Sequence, residues 1–218
     1  MREWPNDPTV AHLVFVDHHD VPTPASIEAA IDHARRRGAR AIRTSALFPR
    51  ATAPVLGAGF HPIDRLALLR RDLTSIDALP EGGATRPMLT WHHQAAAHVD
   101  RSAFGPMWGN DAANIREIRY ATPEHRARIV RRQRSVAGFA ISGAAGDHGY
   151  LQRLAVVPDR QRDGLGTRLV VDALRWMHDC GLRTVLVNTG LDNDPALGLY
   201  AGLGFERLDD ELLIAELR

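Results

Sequence analysis

Leu151 to Gly166 reads LQRLAVVPDRQRDGLG, an apolar strand that runs through a glycine turn into a helix. The strand ends at Val156-Val157-Pro158, and Gln161, Gly164 and Gly166 follow at short, regular intervals. A turn of this kind aims successive backbone N–H groups into one concave loop. The helix behind it adds its own unpaired N–H groups and the positive end of its dipole. Such a loop holds a diphosphate without lysine, so a phosphorylated cofactor is expected to dock here. The point about lysine matters because all 27 basic residues are arginine. Any side-chain grip on phosphate must come from arginine forks, and no lysine amine can act as a nucleophile.

Outward from the loop, Thr167–Cys180 reads as a helix with Leu169, Ala173, Trp176, Met177 and Cys180 on one apolar face. Gly181 supplies the left-handed position that ends it. A further helix has Asp194 as N-cap, Pro195 at its first position, and Gly202 or Gly204 to close it. Upstream, Leu89–Phe104 and Ala112–Arg119 read as helices, while Arg126–Arg132, Ser135–Ser142 and Tyr150–Val157 read as strands. The pattern predicts an α/β fold, with a mixed central sheet flanked by helices.

An internal repeat organises the chain. From Gly38 it reads ARAIRTSALF, a helical stretch, Gly57-Ala58-Gly59-Phe60, then HPIDRLALLRRDL; from Gly181 it reads LRTVLVNT, a helical stretch, Gly202-Leu203-Gly204-Phe205, then ERLDDELLIAELR. The helix Ser26–Arg37 precedes the first copy as Thr167–Cys180 precedes the second. Each copy is expected to be a strand–helix–strand–helix–strand unit. Residues 79–87, rich in proline and glycine, read as the linker between residues 1–78 and a larger domain at residues 88–218.

Composition narrows the function classes. A net charge of +1 gives no overall pull toward nucleic acid, and no apolar run approaches the length of a membrane span. Cys180 is the only cysteine, and the amino-terminal MREWPNDP lacks a secretion-signal pattern, so a cytoplasmic protein without internal disulfides is expected. His12, His18, His19 and Asp20, or His92 and His93, could be imagined around a metal. Adjacent residues of a strand face opposite ways, however, and no metal is expected. The arginines at 126, 128, 131, 132 and 134 lack the interleaved aromatics of a single-strand binder and read as a solvated face.

With these motifs in place, the second half resembles the GNAT superfamily of acyl-coenzyme A-dependent N-acetyltransferases. The resemblance rests on Gln161, Gly164 and Gly166, then on Asn193, Ala196, Leu199-Tyr200 and Gly204-Phe205, all in the family's order. It implies that the backbone of Leu154, Ala155 and Val156 pairs with the pantetheine arm of acetyl-coenzyme A as an added strand. The amide near Val156 would face the thioester oxygen, where one lost donor costs roughly a hundred- to a thousand-fold in rate. It implies a diphosphate cradle from Arg162, Asp163, Gly164, Leu165, Gly166 and Thr167, with Arg168 as an added phosphate contact. Asn193 would touch pantetheine or acetyl, and Tyr200 would protonate the departing thiolate.

Two departures stand out. Where relatives that acetylate protein amino termini often carry a glutamate, this chain has Asn188, which cannot act as base. Glu117 is the first candidate for that role, with Asp192 and His148 behind it. In the first copy Val55 takes the place of Tyr200, no Asn matches Asn193, and the segment Asp20-Val21-Pro22-Thr23-Pro24 has no glycine. Residues 1–78 are therefore expected to be a truncated, cofactor-free repeat. The expected activity is acetyl transfer to a primary amine of a small molecule or peptide by direct attack. The alternative is a non-catalytic acyl-coenzyme A-binding or regulatory protein. A dinucleotide oxidoreductase would need G-x-G-x-x-G and an acid after the next strand, and Val187-Asn188-Thr189 offers none.

Overall fold

The computed structural model describes residues 2–5, 7–15 and 21–218. Contacts divide the chain into two compact units: Met1–Leu68 with Asn188–Asp194 and Arg207–Arg218, and Leu69–Val187 with Pro195–Glu206. No described helix is long and apolar enough to cross a membrane.

The first unit contains β1 (Arg2–Trp4), β2 (Asp7–Leu13), α1 (Pro24–Arg36), β3 (Ala41–Thr44) and α2 (Pro49–Gly57). It also takes the first part of β4 (His61–Asp72) and most of β10 (Glu206–Leu217), and its strand order is β1-β2-β3-β10-β4. Strand β3 is short and buried throughout, so both its neighbours are strands: β2 runs parallel to it from Val10↔Ala41 to Leu13↔Thr44, and β10 antiparallel at Glu216↔Arg43. Ile27 and Ala34, two turns apart on α1, meet Ile42, Val55, Phe60 and Leu213 in one apolar core.

The second unit contains β5 (Arg86–Pro87), α3 (His93–Trp108), α4 (Ala112–Arg119), β6 (Glu124–Arg132), β7 (Ser135–Ala145), β8 (His148–Val156) and α5 (Leu165–Asp179). The first residues of β9 (Thr184–Gly190), most of α6 (Asp194–Gly202) and the end of β4 complete it, in the order β4-β9-β8-β7-β6-β5. Its core joins Met88, Ala96, Val99 and Ile115 to Ile129, Phe139, Ile141 and Ala155.

Both repeat copies take the expected form, β2-α1-β3-α2-β4 and β8-α5-β9-α6-β10. Their last strands are exchanged, however. β10 lies beside β3, and β4 lies beside β9, so each copy's final strand completes the other copy's sheet.

Local differences from the sequence reading have simple causes. Cys180 is exposed rather than on the apolar stripe, because α5 stops at Asp179 and Gly181 turns the chain at φ +75°. The buried residues of α5 are Leu165, Leu169, Val170, Val171, Ala173, Leu174 and Met177, with Leu169, Ala173 and Met177 as expected. Helix α3 begins at His93 and runs through a break at Gly105, whose φ of +74° lets Pro106 follow without a clash. Helix α6 starts at Asp194 itself, so Asp194 is its first residue rather than its cap.

Candidate functional site

Strand β8 pairs with β9 only at His148↔Thr184, Gly149↔Val185 and Tyr150↔Leu186. Beyond Tyr150 it runs on to Val156 with only β7 paired to it, through Ala140↔Leu154, Phe139↔Ala155 and Gly138↔Val156. Within the second unit the other backbone edge of Leu154–Val156 is therefore open, and an open edge is a template for an extended ligand. A bulge between Ile141 and Ser142 of β7 leaves Gln152 without a cross-strand partner, just before this stretch. Such a bulge bends the strand and raises its twist, which fits the parting from β9.

After Val156 the chain makes a 3₁₀ turn at Pro158–Arg160, and the Gln161 side-chain amide donates to the Val156 carbonyl at 3.3 Å, tying the loop back to the strand. Arg162 then takes φ +68° and Gly164 φ +72°. Two left-handed residues so close together curl the backbone into a concave row of amides. The first helical bond of α5 runs from Arg168 N to Gly164 O at 3.1 Å, which leaves the amides of Leu165, Gly166 and Thr167 without an intrahelical acceptor. Among the described residues, no acceptor is bonded to any amide from Arg162 to Thr167. Gly164 is itself the N-cap and has no side chain to close the end of the helix. Leu165 is buried and anchors the turn, while Gln161 to Gly164 are exposed. Six free donors and a helix dipole make a strong anion cradle, and diphosphate fits it in charge and in donor number.

Arg168 is half-buried, and its side chain lies against Gly83, where a Cβ would sit 2.5 Å from Arg168 Cδ. Tyr200 is buried, with its ring edge-on to Phe205 at 5.4 Å between centroids. Burial pushes its phenol well above the usual tyrosine range, so it stays protonated and able to donate. Its hydroxyl has no hydrogen-bond partner among the described residues. The preceding residue, Leu199, packs against Gly166, so α6 rests on the first turn of α5. Asn193 shapes the turn after β9, its side-chain amide donating to Thr189 Oγ1 at 2.9 Å and its backbone to Gly190 O.

The three candidate bases are exposed. Glu117 lies on the exposed face of α4, whose buried residue is Ile115, and Asp192 is exposed in the turn after β9. His148 bonds Thr184 Oγ1 and opens β8, so the strand rise puts it about 26 Å from Val156.

One group of residues went unnoticed in the sequence. Asp100 is fully buried on α3 and accepts both Nε and a terminal nitrogen of Arg153 at 2.7 Å, as well as the Asn110 amide and side chain. The Arg153 guanidinium also donates to the Trp108 carbonyl at 2.8 Å and lies 3.7 Å over the Phe104 ring. This clamp fixes the bend of α3 to β8 beside Leu154. Its sequence signal was an aspartate among Ala96, Ala97 and Val99, the apolar stripe of that helix.

With this geometry in view, the model of the Acetyltransferase (GNAT) family matches residues 93–205. The chain belongs to the GNAT acetyltransferase family. Among GNAT relatives, a mycothiol acetyltransferase of Pseudarthrobacter chlorophenolicus is 29% identical over 73% of this chain and 55% of its own length. A [ribosomal protein bS18]-alanine N-acetyltransferase of Escherichia coli is 31% identical over 51% of this chain and 72% of its own. The chain thus spans about half the length of the mycothiol acetyltransferase it matches. In fold it resembles a tandem GNAT protein from the clavulanic acid biosynthesis pathway, with a TM-score of 0.65 at 18% identity, over 88% of this chain and 68% of the other. Two GNAT-like copies in one chain, the first truncated, agree with that likeness.

The remaining sequence candidates have local roles. His18, His19 and Asp20 lie outside the described residues. His92 accepts the Leu89 amide on Nδ1, and burial lowers the pKa of His93, which faces Arg119. Arg126 and Arg128 are held by Asp172, so these two are structural rather than solvated.

Proposed function

We propose that this GNAT chain moves the acetyl group of acetyl-coenzyme A to a primary amine by direct attack within one ternary complex. The observation that carries the reading is the row of acceptor-free amides from Arg162 to Thr167, continuous with the open edge of β8. Leu154, Ala155 and Val156 would hold the pantetheine arm by backbone pairing, and Gln161 to Thr167 the diphosphate, with Arg168 beside them. Bound there, the cosubstrate supplies an acyl group activated as a thioester. The amine nitrogen forms the new C–N bond as the C–S bond breaks. One proton leaves the nitrogen, and one reaches the thiolate from Tyr200. The amide near Val156 donates to the carbonyl oxygen as negative charge develops on it.

Tyr200 suits the acid role in that its buried phenol is protonated and has a proton to give. Glu117 is exposed and Asn188 carries no charge, so proton removal from the amine is assigned to water, with Glu117 as its outlet. An α-amino group has a pKa near about 8 and needs only modest help. The relatives' names, a mycothiol acetyltransferase and a [ribosomal protein bS18]-alanine N-acetyltransferase, support an amine-bearing small molecule or peptide as acceptor.

Calorimetry with coenzyme A tests the cradle, and acetyl-coenzyme A turnover with a panel of amines tests the transfer. Saturable binding with turnover supports the reading. Binding without turnover of any amine would favour a regulatory acyl-coenzyme A binder, and no binding would remove both.

A further inference from the structure

The two copies differ at one matched place in their final strands. Counted from Phe60 and Phe205, Arg71 of β4 stands where Glu216 of β10 stands. Glu216 is buried in an ion pair with Arg43, whose guanidinium lies 4.4 Å over the Trp4 ring, and it also accepts from Arg218. Counted from Gly38 and Gly181, the place of Arg43 is taken in the second copy by Leu186. Arg71 therefore has the buried position without the opposite charge.

Its surroundings agree. Arg71 is only 9% exposed, yet no carboxylate pairs with it among the described residues. Its sole hydrogen bond is a long one, 3.5 Å to the Ser75 carbonyl, and its buried Nε has no partner. The end of α6 does not absorb the charge either, because Tyr200 O already accepts from Leu203 and Phe205, and Ala201 O accepts from Gly204. Asp72, nearby, is exposed and turned onto the Thr74 amide at 2.7 Å. Glu206 is likewise exposed. The guanidinium lies over Gly204, where a Cβ would come within 2.6 Å of its Nη1, and the φ of +76° there favours glycine. Arg71, Asp72, Ala201, Leu203, Gly204 and Glu206 line one open cleft of about 440 Å³ within the second unit. A guanidinium taken out of water without a counterion is costly, and a planar two-oxygen anion is its best partner.

We infer that Arg71 is the base of an anion site in this cleft, which takes a small carboxylate- or phosphate-bearing molecule at a place separate from the α5 loop. The bound oxyanion does for Arg71 what Glu216 does for Arg43.

The test is thermal unfolding of the full chain against inorganic phosphate, acetate and chloride at constant ionic strength. A fixed excess of coenzyme A is kept present so that the α5 loop does not contribute. Phosphate or acetate should raise the midpoint saturably, by about 5 °C at a hundredfold excess over its Kd. The anion that acts tells phosphate from carboxylate. Arg71→Lys keeps the charge but loses the fork, and should weaken the effect at least tenfold. Arg71→Met should abolish it while unfolding no earlier than the parent in chloride. Equal shifts with chloride, no saturable shift, or an undiminished shift in Arg71→Lys would overturn the site. The proposal does not rest on acetyl transfer, since a chain that failed to bind coenzyme A could still show the Arg71-dependent shift.

Discussion

Helices α1 and α5 follow matched strands in the two copies, but their first turns are built in opposite ways. In α1, Thr23 caps the helix by accepting the Ser26 amide at 3.2 Å, and Pro24 removes another donor altogether. In α5, Gly164 holds the cap position with no side chain to offer, and Leu165, Gly166 and Thr167 keep their amides. A capped end uses its donors to stabilise itself, whereas an open end offers them to a ligand. The same contrast recurs at the second helix of each copy, where buried Val55 stands in the place of buried Tyr200. One copy fills these positions with a self-cap and an aliphatic side chain, and the other leaves its amides unbonded and carries a phenol.

The contrast breaks most sharply at Tyr200. Tyr200→Phe should lower kcat by ~10²–10⁴ and leave coenzyme A affinity as it was, read by steady-state kinetics beside calorimetry. Its counterpart, Val55→Ala, should cost about 2 kcal/mol of stability in urea unfolding and change neither parameter beyond that. A Tyr200→Phe enzyme with parental kcat would erase the distinction between the copies.

At the loop, Gly164→Val forces a branched side chain to φ +72°. The strain of ~1–2 kcal/mol should weaken coenzyme A about tenfold. Thr23→Ala should cost about 1 kcal/mol through the lost cap, with coenzyme A binding unaltered. An affinity change in Thr23→Ala would mean that α1 shares in the ligand site after all.

The smallest effect concerns pH. Burial alone would raise the Glu216 pKa, but the hydrogen bonds from Arg218 and Arg43 and their charges hold it below its usual 4.5. A depressed carboxylate adds stability above its unfolded pKa and loses it as pH falls through the folded value. Stability should therefore decline below about pH 4.5, and Glu216→Gln should flatten that decline in acid titrations. Arg71, charged throughout this range, adds no slope of its own. An unchanged slope in Glu216→Gln would place the acid sensitivity elsewhere, with Asp172 the next group held low by its arginines.

Much of this was legible along the chain because the signals are local. The α5 stripe, the Gly181 stop, the Gly164 turn and the hairpin of β6 and β7 each follow from residues within a turn or two of one another. Arg162 gave no such sign, since a left-handed arginine is held by the loop around it and not by its own preference. Asp100 gave no such sign of its role either, because its partner Arg153 comes from a distant strand.

From sequence alone came the repeat, the loop that marks a GNAT chain, and the loss of tyrosine and glycine in the first copy. Only the tertiary structure decided that β4 and β10 change places, that β8 parts from β9 after Tyr150, and that Arg71 is left without the partner Glu216 has. The physical reason is that β4 and β10 share a matched buried run, Ala67–Leu69 and Leu212–Ile214, and the residues that tell them apart act through partners far off in the chain, as Glu216 does through Arg43. That choice is made by the free energy of the whole packed core, to which residues far apart in the chain contribute together.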